Sequence, residues 1–370
     1  MKNKMLRTTA LVGSLFVLGT SVSNAQTTIT GQLDLSYRAV SNDLADQKHK
    51  SFRGFGKESQ INIANKGKLT NGMDYAAGFS LEFDGNDHGA DSTAVSTAKN
   101  NGDLSGAVSG ENVYIDLISG NTTITFGADH IQNPDSHAHI NPAGVGYITG
   151  YTVNTNGLYP TAVNSPYNAY GAGIVQTIPG FGKASVNYVP NPSFGSSNIA
   201  GTVGPEIGNA GTVSHVDGVA ESAYELGFTG DLGVKGLSVM AFRMQETALQ
   251  NASGVTSKTK GHRIGASYNF GQVTVGLDKA ETTSTSGVEV DGKAASITFA
   301  ATKDFSIGAT YGKAESSAAS TVDEKIKLIS LGYNLGPVAV NATIRDVENQ
   351  AGLTANGDSQ DAIVRLSTKF

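Results

Sequence analysis

Cysteine and tryptophan are both absent from this chain of 370 residues, and only 16% of its side chains are charged. Without cysteine there are no disulfides, so packing and hydrogen bonds alone must hold the fold together. Long hydrophobic runs are missing as well. Every apolar stretch is interrupted by polar residues well before the roughly 20 residues that a membrane-spanning helix needs. These absences exclude a disulfide-stapled domain and a helical membrane protein.

The first 25 residues have the layout of a secretory signal peptide. Lys2, Lys4 and Arg7 precede an apolar stretch around residues 10–18, and Ser23–Ala25 supplies a cleavage site of small residues. An uncleaved anchor helix is the alternative, but the apolar stretch is much shorter than a bilayer requires. We therefore expect export of the chain and cleavage after Ala25.

Residues 26–370 are expected to form one mature domain. Removal of residues 1–25 takes away three of the 26 basic residues and none of the 32 acidic ones, which leaves a net charge of −9. A nucleic-acid partner is excluded on this ground, because phosphate binding needs a basic surface.

The mature chain is a succession of stretches in which apolar and polar residues alternate, separated by clusters of Gly, Asn, Asp, Ser and Pro. The stretch Thr28–Ala39 is the first and Ser359–Phe370 the last of sixteen. Because strand side chains alternate between two faces, each stretch predicts a strand with one apolar and one polar face. The chain is therefore predicted to be all-β, with sixteen strands.

The connections between these strands alternate in length. Short turns such as Thr70–Gly72 alternate with long polar segments such as Ser41–Lys57, Gly85–Gly110 and Pro190–Ala220. A transmembrane β-barrel has short periplasmic turns and longer extracellular loops, and its interior is polar. The pattern thus predicts a sixteen-stranded antiparallel transmembrane β-barrel.

Aromatic residues recur near the strand ends that join the short turns, among them Phe228, Tyr268, Tyr333 and Phe370. Aromatic girdles of this kind mark the membrane interfaces of such barrels. The alternative interpretation is the general preference of aromatic residues for strands.

Three segments give the chain a family resemblance: Ile29–Leu33, Leu69–Phe79 and Gly120–Asp129, followed by a terminal Phe370. With them in this order, the chain resembles the Gram-negative general diffusion porins, most closely those of alphaproteobacteria. The resemblance covers residues 26–370. It implies a homotrimer in the outer membrane of a Gram-negative bacterium, in contact with outer-membrane lipid and lipopolysaccharide. It also implies that Phe370 is the C-terminal signal read by the outer-membrane barrel assembly machinery, and that the third long loop folds into the barrel.

The segment Asp129–Tyr167 stands where the resemblance places that inward-folded loop. It is rich in Pro, Gly, Asn and Tyr. Loops of this length in a compact fold are usually functional or disordered, and a sixteen-stranded barrel leaves a lumen wide enough to need a constriction. We expect the segment to narrow the pore; the alternative is an ordinary surface loop.

Charges at the narrowest point of a pore decide which ions pass. Asp129 and Asp135 are the candidates for the acidic side of the constriction. The opposing basic wall is assigned to side chains that face inward by strand parity: Arg38, Arg345, Arg365 and, nearer the short turns, Lys66. Arginine or lysine on the lipid face costs about 2–4 kcal/mol near the midplane, which favours inward placement. The alternative is that these side chains only solvate the lumen wall.

Other chemistry finds little support in the sequence. His130, His137 and His139 lie on the predicted constriction loop, but a His-x-His pair alone does not define a metal site. Gly171–Gly173 has no following helix and is not a dinucleotide fingerprint, and no nucleophile motif occurs. We expect no enzymatic activity, no cofactor and no metal.

The sequence therefore predicts an outer-membrane porin for passive diffusion of small hydrophilic solutes and ions, with mild cation selectivity. Two alternatives remain open. One is a substrate-specific channel, for which tyrosines in and beside the loop would provide a binding surface: Tyr147, Tyr151, Tyr159, Tyr167 and Tyr170. The other is a non-channel surface adhesin, which would be soluble in water without detergent.

Overall fold

The computed structural model describes residues 23–42, 51–82, 109–127, 171–189, 220–248, 258–284, 286–352 and 357–370. The alternating stretches within these ranges form sixteen strands, as the sequence predicts. They are β1 (Ser23–Asn42), β2 (Ser51–Lys68), β3 (Asp74–Glu82), β4 (Ser109–Ser119), β5 (Thr122–Gly127), β6 (Gly171–Ile178), β7 (Gly182–Val189), β8 (Ala220–Gly230), β9 (Leu237–Ala248), β10 (Lys258–Asn269), β11 (Val273–Thr283), β12 (Glu289–Ala300), β13 (Phe305–Ser316), β14 (Glu324–Asn334), β15 (Val338–Glu348) and β16 (Ser359–Lys369). A short 3-10 helix, Gln350–Gly352, follows β15.

Each strand pairs with its sequence neighbours in antiparallel fashion, and β1 also pairs with β16. The sheet is therefore a closed barrel. Closure removes the unpaired strand edges that open sheets expose. Within the described ranges, no helix is long and apolar enough to span a membrane.

The two faces of the barrel wall have opposite chemistry. Outward-facing Leu277, Ile297 and Ile329 are exposed, whereas their inward-facing neighbours in sequence, Asp278 and Ser330 among them, are buried. In water-soluble proteins it is the large apolar side chains that are buried and the charged ones that are exposed. An apolar exterior around a polar interior is the arrangement of a membrane barrel.

The interior also contains small apolar clusters, so its wall is not polar throughout. The largest lies on β12–β15 and is built around Ile326, Leu328 and Val347. A second cluster joins Phe242 and Met244 on β9 to Ala280 on β11. These side chains pack against inward-facing neighbours and stiffen this part of the wall.

The two ends of the barrel differ in their connections. One end, here called the short-turn end, has turns such as Thr70–Gly72, where Gly72 has φ 86° and needs the freedom of a residue without Cβ. The other end, the long-loop end, has the longer segments that join β1 to β2, β3 to β4 and the following strand pairs.

Aromatic pairs lie at the short-turn end, as predicted. The ring centroids of Phe181 and Phe228 are 5.9 Å apart, and those of Tyr268 and Phe270 are 4.7 Å apart. Phe305 and Tyr333 form a further pair on β13 and β14. Aromatic side chains form girdles at the membrane interfaces of such barrels.

The main departure from the predicted strand limits is in β2. The sequence predicts residues 51–57 as part of the connecting segment Ser41–Lys57, but they pair with the part of β1 nearer the long-loop end. Phe55 is the residue that explains the extension, because its ring packs outside the barrel against Tyr37 at 5.1 Å between centroids. Gly54 and Gly56 occupy the inward positions of this part of β2. Because glycine has no side chain to mark a polar face, the alternation is hard to recognise in the sequence.

Candidate pore wall

Three predicted basic residues meet on the inner wall because the barrel closes. Arg38 lies on β1, Arg345 on β15 and Arg365 on β16, and closure makes these strands adjacent. The Arg38 guanidinium donates to both carboxylate oxygens of Asp361, with Nε–Oδ1 at 3.1 Å and Nη2–Oδ2 at 2.5 Å. Arg345 Nη2 lies 3.4 Å from the same Oδ2. One aspartate thus holds two arginines.

Arg365 has its own partner, Asp34 on β1. Both side chains are almost fully buried, and Gln32 Nε2 donates to the same carboxylate at 2.5 Å. Charge-assisted hydrogen bonds of this type are stronger than neutral ones and fix the guanidinium orientation. We call Asp34, Arg38, Arg345, Asp361 and Arg365 the seam cluster, since they lie where the first and last strands meet.

The other predicted site residues lie elsewhere. Lys66 faces inward on β2, where it pairs in register with Gln26 and Ala76 towards the short-turn end, apart from the seam cluster. Asp129 and Asp135, the predicted acidic side, lie outside the described residues, as does the rest of the predicted constriction loop.

Phe370 follows β16 and completes the seam on the outside of the barrel. Its backbone exchanges two hydrogen bonds with Gly31, at 2.7 and 3.0 Å. Its ring covers Gly31 so closely that a Cβ there would lie 2.2 Å from Cζ of the ring. Gly31 is thus a position where a side chain and the ring of Phe370 cannot both fit.

The two aspartates of the seam cluster were not identified as site residues from the sequence. Asp34 and Asp361 share the inward parity of the arginines, so the alternation contained the necessary signal. What it lacked was the register, which pairs Val40 with Asp361 and Asp34 with Ser367. A lumen wall described only by its arginines therefore appeared more basic than it is.

A second ion pair faces inward on the opposite side of the barrel. Arg263 on β10 and Asp278 on β11 have fully buried side chains, joined by Nε–Oδ1 at 2.9 Å and Nη2–Oδ2 at 2.8 Å. On β7 and β8, Asn187 donates to Glu225 at 3.1 Å. Charged side chains are buried only when they are partnered, and these partners fix the charges on the interior wall.

Within the described ranges, no group of three or more His, Cys, Asp or Glu is placed to hold a metal ion. His130, His137 and His139 lie outside those ranges. What the described interior offers is a set of fixed charges and hydrogen-bonding groups inside a closed wall.

A closed antiparallel barrel that is apolar outside and polar inside defines the class of outer-membrane β-barrels. A sequence profile of the Gram-negative porin family matches residues 8–352. The chain belongs to this family. No curated protein sequence matches it.

Several solved structures share the fold over nearly the whole chain. An anion-selective porin from Comamonas acidovorans has 14% identity and a TM-score of 0.64, covering 94% of this chain and 100% of that one. A triple mutant of the Rhodopseudomonas blastica porin has 15% identity and a TM-score of 0.60, covering 93% and 100%. A loop-deletion mutant of OmpT, an outer membrane protein of Vibrio cholerae, has 12% identity and a TM-score of 0.60, covering 94% and 100%.

Proposed function

We propose that the protein is a general diffusion channel for small hydrophilic solutes and ions across the outer membrane. The observation that carries the proposal is the inner wall of the closed barrel, where the seam cluster places five charged side chains opposite an apolar, exposed exterior. Such a wall is costly to build in a barrel that only anchors the protein in lipid. A hydrated pore needs polar and charged groups on its inner wall, because the charges that line a pore bias which ions pass.

The constriction is proposed to form where residues 129–167 fold into the lumen. Asp129 and Asp135 would supply its acidic side, and Arg38, Arg345 and Arg365 the basic wall, with Lys66 nearer the short turns. The length and composition of the segment support this placement, as does its position between β5 and β6.

Mild cation selectivity follows from the overall charge. The mature chain carries a net charge of −9, and two aspartates of the seam cluster partly neutralise its three arginines. Net negative charge raises the local concentration of cations. We expect no enzymatic activity and no cofactor, since diffusion down a gradient needs neither.

Assembly is proposed to follow the general pattern of the family. Residues 1–25 would be cleaved as a signal peptide, and Phe370 would serve as the signal for the barrel assembly machinery. The mature chain would form a homotrimer in contact with lipopolysaccharide. The order of the motifs Ile29–Leu33, Leu69–Phe79 and Gly120–Asp129 supports an alphaproteobacterial kind.

Single-channel recording in planar bilayers tests the proposal. We expect stepwise conductance from detergent-purified protein and, under a salt gradient, a reversal potential displaced towards that of the cation. Arg38→Gln combined with Arg345→Gln should strengthen the cation preference, because two positive charges leave the wall while Asp361 remains. Lys303→Gln, in an exposed short turn, is the matched control and should change nothing.

The outcomes separate the competing functions. Clear anion selectivity would refute the cation preference while leaving the channel in place. Saturable block by one sugar or amino acid would favour a substrate-specific channel. Absence of conductance from correctly folded protein would refute the channel altogether and favour a surface adhesin.

A further inference from the structure

Every inward-facing lysine of the described strands lies near the short-turn end. Three of them are Lys66, two residues before the end of β2, Lys183, the second residue of β7, and Lys369, the last residue of β16. Cross-strand register places all three on the inner face of the wall. Their side chains are exposed, and among the described residues none of them has an ion-pair partner. We call these three residues the mouth lysines.

Negative charge at the same end does not cancel the mouth lysines. The fourth inward lysine there, Lys68, is paired with Asp74 at 2.6 Å between Nζ and Oδ1. Among the described strands, the other inward carboxylate near a short turn is Asp116, which accepts a hydrogen bond from the Thr125 hydroxyl at 2.6 Å. The C-terminal carboxylate of Phe370 adds one negative charge at the seam, and in the short turns themselves two lysines are matched by two aspartates. This end of the lumen is therefore net positive.

The long-loop end of the lumen has the opposite sign. Glu82 on β3, Glu246 on β9 and Glu324 on β14 face inward close to the ends of their strands. The seam cluster contributes two arginines near this end, but they share one aspartate. The connecting segments increase the imbalance, with ten acidic and three basic residues in the ranges 43–50, 83–108, 128–170 and 190–219. Acids thus dominate one mouth of the barrel and lysines the other.

Charges of opposite sign at its two mouths make a pore conduct unequally in the two directions. Each mouth admits the ion of opposite charge, so cations enter readily at the acidic end and anions at the lysine end. A field that drives cations in through the long-loop end also drives anions in through the short-turn end, and both kinds of ion accumulate in the lumen. The reversed field draws each ion through the mouth that repels it, and the lumen is depleted of charge carriers.

We propose that the mouth lysines make the channel a rectifier, with a higher conductance when the long-loop side is positive. The inference rests on the proposed function, because it needs an open pore. In such barrels the short turns face the periplasm and the long loops face outside. The favoured current therefore carries cations into the periplasm and anions out of it. The mouth lysines thus set the direction of ion flow, in addition to the preference between ions.

Current–voltage curves of single channels in planar bilayers test the proposal. In about 0.01 M KCl the Debye length is roughly 30 Å and the mouth charges act across the lumen, whereas in about 1 M KCl it is roughly 3 Å and they are screened. At low salt we expect the currents at equal voltages of opposite sign to differ about twofold, since a potential of about one kT at a mouth changes the local ion concentration about threefold. At high salt the two currents should be equal.

The orientation of each channel can be read from a single label. Gln272 is exposed in a short turn of this cysteine-free chain, so Gln272→Cys offers one thiol at the short-turn end. Maleimide–polyethylene glycol that is too large to cross the lumen alters the current only from the chamber that holds this end.

The triple variant Lys66→Gln, Lys183→Gln and Lys369→Gln should lose most of the asymmetry at low salt, because the positive mouth is removed. Its conductance at high salt should be unchanged, which verifies that the pore is intact. The corresponding Lys→Arg triple variant keeps the charges and should keep the asymmetry. Lys258→Gln with Lys260→Gln is the control and should not lower the asymmetry, since these exposed lysines point to the outside of the barrel.

The outcomes distinguish this inference from the proposed function. A symmetric current–voltage curve at low salt from a conducting channel would overturn the rectifier, as would a higher conductance with the short-turn side positive. Asymmetry that persists in the Lys→Gln triple variant, or disappears in the Lys→Arg variant, would show that the charge of the mouth lysines is not its source. Absence of conductance at every salt concentration would instead refute the channel.

Discussion

Arg365 and Asp34 illustrate how the barrel fixes charge at a single point of its inner wall. The two residues lie 331 positions apart in the chain, and both side chains are nearly buried. Desolvation of two charges is costly, and the pair is stable only because the hydrogen bonds between them compensate. Ion pairs of this kind fix the position of charges on the inner wall more than they stabilise the fold, since an apolar pair of equal volume would hold the strands together as well.

Removal of one partner should therefore cost more than removal of both. Arg365→Met leaves a nearly buried carboxylate without its guanidinium, and we expect a loss of about 3 kcal/mol in the free energy of unfolding. Urea titration of the barrel in lipid vesicles measures the loss.

The double variant Arg365→Met with Asp34→Asn is the matched comparison. It should recover much of the lost stability, because no unpaired charge remains. Equal destabilisation by the single and double variants would show that the pair does not act as a unit.

At the scale of the strand, the decisive property is which face a residue occupies. β14 shows it in consecutive residues: Leu328 and Ser330 point inward and are buried, while Ile329 between them points to the outside and is exposed. The middle of the outer face is apolar across several strands, with Val275, Ile297 and Ile344 near the same level. A charge at this level has no water within reach.

Ile329→Lys should consequently destabilise the barrel by about 2–4 kcal/mol. Val338→Lys is the control, because it lies on the same face near the short-turn end, where the cost of a lysine falls to about 1 kcal/mol or less. Folding into lipid vesicles, followed by urea titration, gives both values. Similar costs at the two positions would contradict the assignment of depth along the outer face.

Strands and faces were predictable from the sequence because both depend on local alternation. All sixteen strands follow from it, and so does the inward placement of Arg38, Arg345 and Arg365. The first part of β2 was missed because Gly54 and Gly56 supply no contrast to their neighbours. The pairing of Arg365 with Asp34 depends on the register between strands, which alternation within one strand does not determine.

At the scale of the whole molecule, the barrel depends on a single long-range closure. β1 and β16 come from opposite ends of the described chain and pair over eleven residues, from Gln32 with Lys369 to Asn42 with Ser359. The Gly31–Phe370 hydrogen bonds extend this pairing towards the short-turn end. Pairing between residues so distant in sequence is slow to form, because the loop-closure entropy is paid before the contacts stabilise it.

Gly31→Ala should weaken the closure, because its Cβ would displace the ring of Phe370. We expect a destabilisation of about 1–3 kcal/mol and slower folding into lipid vesicles. In Gly31→Ala combined with Phe370→Ala, the alanine at 31 should add little to the effect of Phe370→Ala alone.

Gly54→Ala provides the control, since a Cβ there meets no atom within 4 Å. If Gly31→Ala behaved like Gly54→Ala, the ring would not be part of the closure. Folding rates can be followed by circular dichroism, because the chain has no tryptophan whose fluorescence could report on folding.

The strict inside–outside alternation also restricts how the length of this chain can change during evolution. Deletion of one residue of β12 before Lys293 would move every later side chain of that strand to the opposite face, and Lys293 would turn towards the lumen. Gains and losses of single residues are therefore tolerated between strands, and within a strand only where a bulge absorbs the extra residue, as at the register shift between Gly78 and Ser80 on β3. Related genes should consequently keep their strand lengths nearly constant and differ in length mainly in the segments that join strands at the long-loop end.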